Sequence, residues 1–196
     1  SPYSASKAAS DHLVRAWYHT YNLPTVISNC SNNYGPLQYP EKLIPKVILS
    51  ALNQSSIEVY GDGSNVRDWI YVDDHVDALI KVLFESKPGQ TYCIGGSCEK
   101  SNIDLVNIIC NKLDMILPIK GSYKELIKFV EDRPGHDFRY SIDSSLISND
   151  LSWQPKHTFE NGIVKTIKWY IENQDWFNKN GKNNFNDITK RQGMIE

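Results

Sequence analysis

The sequence predicts an α/β protein, and three observations carry that prediction. Segments of helical period alternate with single, short β-like runs. Gly, Pro, Asn and Asp punctuate the junctions. No internal repeat or low-complexity stretch interrupts the alternation. With 196 residues the chain has room for one domain with a substantial core and is short for two.

The elements follow in order. Residues 3–21 read as a helix, because Ala5, Ala9, Leu13, Ala16 and Trp17 recur at helical spacing, and Pro24 closes it after Tyr21-Asn22. Thr25-Val26-Ile27 is a short β-like run that leads into a polar loop over 28–40. A helix over 42–52 and a strand over 57–60 follow, with Gly61-Asp62-Gly63 as the turn. Trp69-Ile70-Tyr71-Val72 is strand-like, and Asp73 or Asp74 then caps a helix that reaches about Glu85. Thr91-Tyr92-Cys93-Ile94 runs into Gly95-Gly96, and a helix covers 102–113. A β-like stretch over 127–130 precedes the turn Asp132-Arg133-Pro134-Gly135. The last helix spans 159–173, and residues 177–196 form a polar, loose tail. Strands this sparse make an incomplete sheet. The chain also opens abruptly on Ser1-Pro2-Tyr3, as a piece of a longer protein would.

Composition excludes several classes. Hydrophobic residues make up 40% and charged residues 22%, an ordinary balance for a globular protein. The net charge of -2, with no Lys/Arg cluster, argues against nucleic acid as a partner. No apolar run is long enough to span a membrane, and no signal peptide is seen. Cys30, Cys93, Cys98 and Cys110 show no metal-ligand spacing, so no metal is expected, and reduced thiols in the cytoplasm are the better reading.

Several residues have chemical potential. Tyr3 and Lys7 stand four apart on a helix and project from one face. A lysine ammonium beside a phenol favours the phenolate and yields a general base, although a plain surface pair has the same spacing. The loop Ser31-Asn32-Asn33-Tyr34-Gly35-Pro36 follows a β-like run, where open α/β sheets bind ligands, and it also has the composition of a simple turn. Arg67 and Arg133 could each fork onto a phosphate or pair with a neighbouring Asp. Tyr60, at a strand end, offers an aromatic face to a base or sugar, or packs in the core. His12, His19, His75 and His157 have no partner pattern, and the sequence contains neither GxGxxG nor GxSxG.

The order of these segments resembles a known family. Tyr3-Ser4-Ala5-Ser6-Lys7 is similar to the YxxxK motif of the extended short-chain dehydrogenase/reductases. Asn32-Asn33-Tyr34-Gly35-Pro36, Pro40-Glu41-Lys42-Leu43-Ile44-Pro45 and Val59-Tyr60-Gly61-Asp62-Gly63 resemble the dTDP-glucose 4,6-dehydratases in particular. So do the run from Val66 to Val72, Ile94-Gly95-Gly96, Asn102-Ile103-Asp104 and Asp132-Arg133-Pro134-Gly135-His136-Asp137. The likeness extends from residue 1 to about 176. It implies the C-terminal part of such an enzyme, with an incomplete Rossmann-type parallel sheet interleaved with a small mixed substrate-binding domain.

The resemblance further implies NAD as cofactor and dTDP-glucose as substrate, in a homodimeric, cytoplasmic parent enzyme of deoxysugar biosynthesis. Tyr3 takes the sugar 4-hydroxyl proton as hydride leaves C4, and Lys7 assists it and binds the nicotinamide ribose. Water is then lost across C5 and C6, and hydride returns at C6. By position, Asn32 contacts the substrate and Asn33 the cofactor. Lys42, Leu43, Glu58, Val59, Tyr60, Arg67 and Asn102 line the nucleotide site with Asp132, Arg133, Pro134, Gly135 and His136. Phe138, Cys93 and Ser97-Cys98 depart from the family's usual polar residues. The family's glycine-rich NAD loop and its elimination acid and base precede the YxxxK helix, so negligible turnover is expected of this chain alone. A sibling dehydratase or 4-epimerase acting on another nucleotide sugar, or a non-catalytic binding remnant, is the competing expectation.

Overall fold

Ser1 is an effective helix cap: its hydroxyl accepts the Ser4 amide at 3.2 Å, and Pro2 supplies a preset φ where no amide is needed. The resulting helix α1 (Pro2–Tyr21) ends at Asn22, whose left-handed backbone (φ 53°) returns its N–H to the Tyr18 carbonyl at 2.9 Å. In this computed structural model residues 1–174 are described, and they divide between two units. One comprises Ser1–Asn33, Ser64–Ser101 and Asp132–Phe159; the other comprises Tyr34–Gly63, Asn102–Glu131 and the described residues from Glu160 onward. The tail expected over 177–196 lies outside the described residues.

The first unit is built on a parallel pair, β1 (Ile27–Cys30) with β5 (Thr91–Ile94), in the register Ile27↔Thr91 to Cys30↔Ile94. Alternation sends Ile27, Asn29, Thr91 and Cys93 to one face, and Ser28, Cys30, Tyr92 and Ile94 to the other. The first face meets α1 through polar contacts: Asn29 donates to Asp11 and Arg15 to Thr91, both at 3.2 Å. On the second face Tyr92 and Ile94 join Ala78 and Val82 of α3 (Val72–Glu85) and Ile147 and Leu151 of α5 (Ser145–Leu151) in one core cluster. Helices thus cover both faces, as a parallel pair requires. No residue of α1 is buried, and Leu13, Trp17 and Tyr21 form an exposed apolar row along it.

A second sheet in this unit centres on β4 (Val66–Tyr71). It pairs antiparallel with β6 (Glu99–Ser101) and parallel with β8 (Arg139–Tyr140), and β2 (Asn32–Tyr34) joins it. Glycine is required at position 96, because a Cβ there would run into the Trp69 carbonyl oxygen.

The other unit pairs β3 (Ile57–Tyr60) parallel with β7 (Ile127–Val130), flanked by α2 (Leu43–Leu52) and α4 (Asn102–Ile116). Ile44, Ile48, Leu105 and Ile109 are wholly buried, each contributing about 1.5–3 kcal/mol. Gly63, at φ 76°, accepts the Ile103 amide at 3.0 Å and so joins the turn after β3 to the start of α4. α6 (Phe159–Glu172) buries Ile163, Ile167 and Tyr170, and the Tyr170 hydroxyl donates to the Gln38 carbonyl at 2.8 Å.

Four expectations need correction. The strand expected over 25–27 lies at Ile27–Cys30, because pairing with β5 sets its limits, and β2 lies inside the expected loop. β4 begins at Val66, where β6 and β8 supply partners, three residues before the apolar run. Neither Asp73 nor Asp74 caps α3; the cap position is Tyr71, and Asp74 is turned to another task. His157 does have a partner: Asp74, buried to 2%, accepts both its amide (3.0 Å) and its ring Nδ1 (2.9 Å).

Candidate functional site

In the first unit Tyr3 and Lys7 occupy the opening turns of α1 on one face, both exposed, with Tyr3 at 73%. Asn32 and Asn33 open β2, one residue past β1 at the carboxyl end of the β1–β5 pair, and both are half-buried. The Asn33 side-chain amide donates to the Ser31 carbonyl (3.1 Å) and to Cys30 Sγ (3.3 Å), which braces the turn. The Ser31 amide donates to the Ile94 carbonyl at 2.9 Å. Its hydroxyl is buried and has no hydrogen-bond partner among the described residues. A buried hydroxyl left unsatisfied is costly, and a water or a polar ligand group at this turn would satisfy it.

Beside this turn the Gly95–Cys98 loop wraps a buried carboxylate. Asp68, wholly buried, accepts the amides of Gly96 (3.2 Å) and Cys98 (2.7 Å). The Ser144 hydroxyl takes the Gly95 amide at 2.7 Å.

Arg67 is buried, and its guanidinium faces carbonyls. It donates to Val66 O and Asp137 O, each at 2.7 Å, with a longer contact to Phe138 O at 3.5 Å. Burial pulls its pKa below the usual arginine value, against the attraction of Asp137. Arg67 therefore anchors the loop that carries Asp132, Arg133, Pro134, Gly135 and His136.

That loop is folded around Asp132, whose Oδ1 accepts the Arg133 amide (2.8 Å) and meets His136 Nδ1 (2.7 Å). The His136 bond, helped by the Arg133 amide, holds the Asp132 carboxyl below its ordinary range. The His136 side chain is only 5% exposed, whereas Arg133 and Pro134 are exposed. Gly135 takes the left-handed φ of 67° that closes the turn. The outcome is a tight loop presenting one exposed cation.

In the other unit Lys42 is exposed at the cap position of α2, and Leu43, its first residue, is half-buried. Glu58 and Tyr60 share one face of β3, joined by Lys46: its ammonium meets Glu58 at 2.8 Å and lies 5.8 Å from the Tyr60 ring centroid. Val59 points to the opposite face and is core. Asn102 opens α4 and is half-buried. Among the described residues, no cluster of His, Cys, Asp and Glu is placed to hold a metal ion, and no helix is long and apolar enough to cross a membrane.

The family model for GDP-mannose 4,6-dehydratase matches residues 1–166. The chain belongs to that family. It is 60% identical to the dTDP-glucose 4,6-dehydratase of Escherichia coli over 176 residues, which is 90% of this chain and 49% of the relative. Among solved structures, the Bacillus anthracis dTDP-glucose 4,6-dehydratase in complex with NAD superposes with a TM-score of 0.81 at 45% identity, covering 90% of this chain and 54% of that one. The Streptomyces venezuelae dTDP-glucose 4,6-dehydratase, solved with NAD and dTDP, gives 0.84 at 42% identity, covering 90% and 52%. The chain thus spans about half the length of the curated relatives it matches.

Sequence reasoning missed three contributors. The Ser31 hydroxyl sits inside a motif whose sequence signal is its asparagines. Asp68 is next to Arg67 in sequence but is recognisable only once its loop is seen. Tyr140, whose hydroxyl donates to the Cys30 carbonyl at 3.2 Å, is 110 residues from its acceptor and has no local signature.

Proposed function

We propose that this chain is the nucleotide-sugar-binding part of a dTDP-glucose 4,6-dehydratase, a homodimeric enzyme of deoxysugar biosynthesis in the cytoplasm. On this reading residues 1–176 are its last Rossmann-type elements interleaved with the substrate-binding domain. The observation that carries the reading is the 60% identity to the Escherichia coli enzyme across 90% of the chain; the family model's match over residues 1–166 takes in the exposed Tyr3–Lys7 pair and the Arg67-anchored loop.

The residues present fit the nicotinamide end of NAD. The exposed Tyr3–Lys7 pair suits a ribose, and Asn33 with the unsatisfied Ser31 hydroxyl suits a polar amide. When bound, NAD supplies the hydride acceptor for C4 and the hydride donor for C6. Tyr3 takes the proton of the sugar 4-hydroxyl, and the Lys7 ammonium stabilises the negative charge on the phenol oxygen. Asn32 orients the sugar. Arg133 places positive charge on the diphosphate, and Pro134 and Gly135 give the backbone turn that allows this; in the other unit Lys42 is a nucleotide-binding residue on this reading. His136 holds that turn through Asp132, while Arg67 holds its base. Tyr60 supplies a face for the thymine, with Leu43, Glu58, the β3 backbone at Val59 and Asn102 around it. The exposed row Leu13, Trp17 and Tyr21 on α1 suits a second copy of the subunit.

The test is a thermal-shift titration with dTDP, UDP and GDP, repeated with NAD. At one hundred times its dissociation constant dTDP adds about 2.7 kcal/mol, a rise of roughly 5–10 °C for a chain of this size. UDP and GDP produce smaller shifts at equal concentration. Equal shifts with all three, or none, would overturn the reading.

A further inference from the structure

The turn Ser31–Asn33 and the loop 132–136 are distant in sequence, yet the Tyr140 side chain links the stretches that carry them. β1 ends at Cys30, and its carbonyl accepts the Tyr140 hydroxyl at 3.2 Å. Tyr140 belongs to a segment already fastened to β4 by other means. Arg67 donates to Asp137 O, the Val66 amide donates to Phe138 O at 2.8 Å, and the Asn65 amide group donates to Asp137 O at 3.3 Å. Arg139 forks onto Glu99 at 2.7 and 2.6 Å, and Tyr140 lies opposite Arg67 in the β4–β8 register. Segment 137–141 is therefore an anchored platform, and the Tyr140 phenol reaches from it to the end of β1.

We propose that Tyr140 is a positioning residue, a latch that joins the Ser31–Asn33 turn to the Arg67-held loop 132–138 so that the two respond to a ligand as one body. Its functional side rests on the reading above, in which one loop meets the diphosphate and the other the sugar and cofactor. The phenol is suited to the task. Burial first, then Cys30, Cys93, Tyr3 and Asp68, push its pKa upward, so it keeps the proton it donates. Tyr140→Phe removes only the hydroxyl and preserves the ring.

The experiment is amide hydrogen exchange followed by NMR on the whole chain, with the Leu105 and Ile109 amides of the other unit's core as reference. Without ligand, Y140F speeds exchange at Ser31, Asn32 and Asn33 about fivefold, the worth of one net hydrogen bond. Arg139→Gln cuts the neighbouring tie from β8 to Glu99 of β6 and, with Asn65, Val66 and Arg67 still holding 137–138, speeds those three amides less than Y140F does. With dTDP added, the wild type slows exchange at Asn32 and Asn33, whereas Y140F shows the shifts at Arg133 and His136 without that slowing. Unchanged exchange at Ser31–Asn33 in Y140F, or equal acceleration in R139Q, would overturn the latch. Should dTDP shift no amide of 133–136, the functional reading fails, and the ligand-free comparison still decides the latch.

Discussion

Replacing Arg67 by Met keeps much of the side-chain volume and removes every donor. Two bonds of 2.7 Å are lost, to Val66 O and Asp137 O, while the 3.5 Å contact to Phe138 O counts for little. Hydrogen bonds from a charged group contribute about 1.5–3 kcal/mol each. Two give about 3–6 kcal/mol, offset in part because Met is cheaper to bury than a guanidinium. A net loss of about 2–4 kcal/mol remains, equivalent to a melting temperature lower by roughly 5–15 °C at this chain length. Differential scanning calorimetry of R67M against Arg133→Gln reads this directly. Arg133 is exposed, so R133Q melts within about 2 °C of the wild type and instead weakens dTDP about tenfold. R67M melting within 2 °C of the wild type, or R133Q melting as low as R67M, would refute the division into an anchoring and a ligand-facing arginine.

Three further outcomes follow from the same geometry. Gly96→Ala forces a methyl group into the Trp69 carbonyl, and the variant loses its cooperative melt or its soluble expression. Glu99 is held down to about 2, chiefly by the Arg139 hydrogen bond. Because that folded-state value is depressed, the pair stabilises the fold above the ordinary carboxylate value and is lost as pH falls towards about 2. Carboxyl NMR should show Glu99 titrating near the bottom of the acid range, and returning towards its ordinary value in R139Q. Burial raises the Cys110 thiol to about 11, so in the native chain a thiol reagent labels Cys110 only after denaturant is added, well behind the half-buried Cys30, Cys93 and Cys98.

The sequence disclosed those parts of the fold whose signals are local. α1, α2, β3, β5, α4, β7 and α6 each carry their own periodicity or punctuation, and their observed limits lie close to the expected ones. The rest depends on partners far along the chain. β1 takes in polar Ser28 and Asn29, which read as loop, because its limits come from β5. β8 is two residues long and exists through Val66 and Arg67. α5 has only seven residues rich in Ser, Asn and Asp, and what fixes it is the burial of Ile147 and Leu151, four apart. The site divides in the same way. Tyr3–Lys7, Asn32-Asn33 and the 132–136 loop were legible as motifs. The anchoring of Arg67 by carbonyls, the core position of Val59 and the unsatisfied Ser31 hydroxyl emerged only from the packing.

The central claim is that this chain reads a thymidine diphosphate with named residues. A chemical-shift map of the isotope-labelled chain titrated with dTDP tests it most directly. The account predicts saturable shifts concentrated at Arg133–His136, Lys42–Leu43, Tyr60 and Asn102, with UDP producing the same pattern only at higher concentration. Shifts scattered over other surfaces, or a map in which those residues stay still, would contradict it.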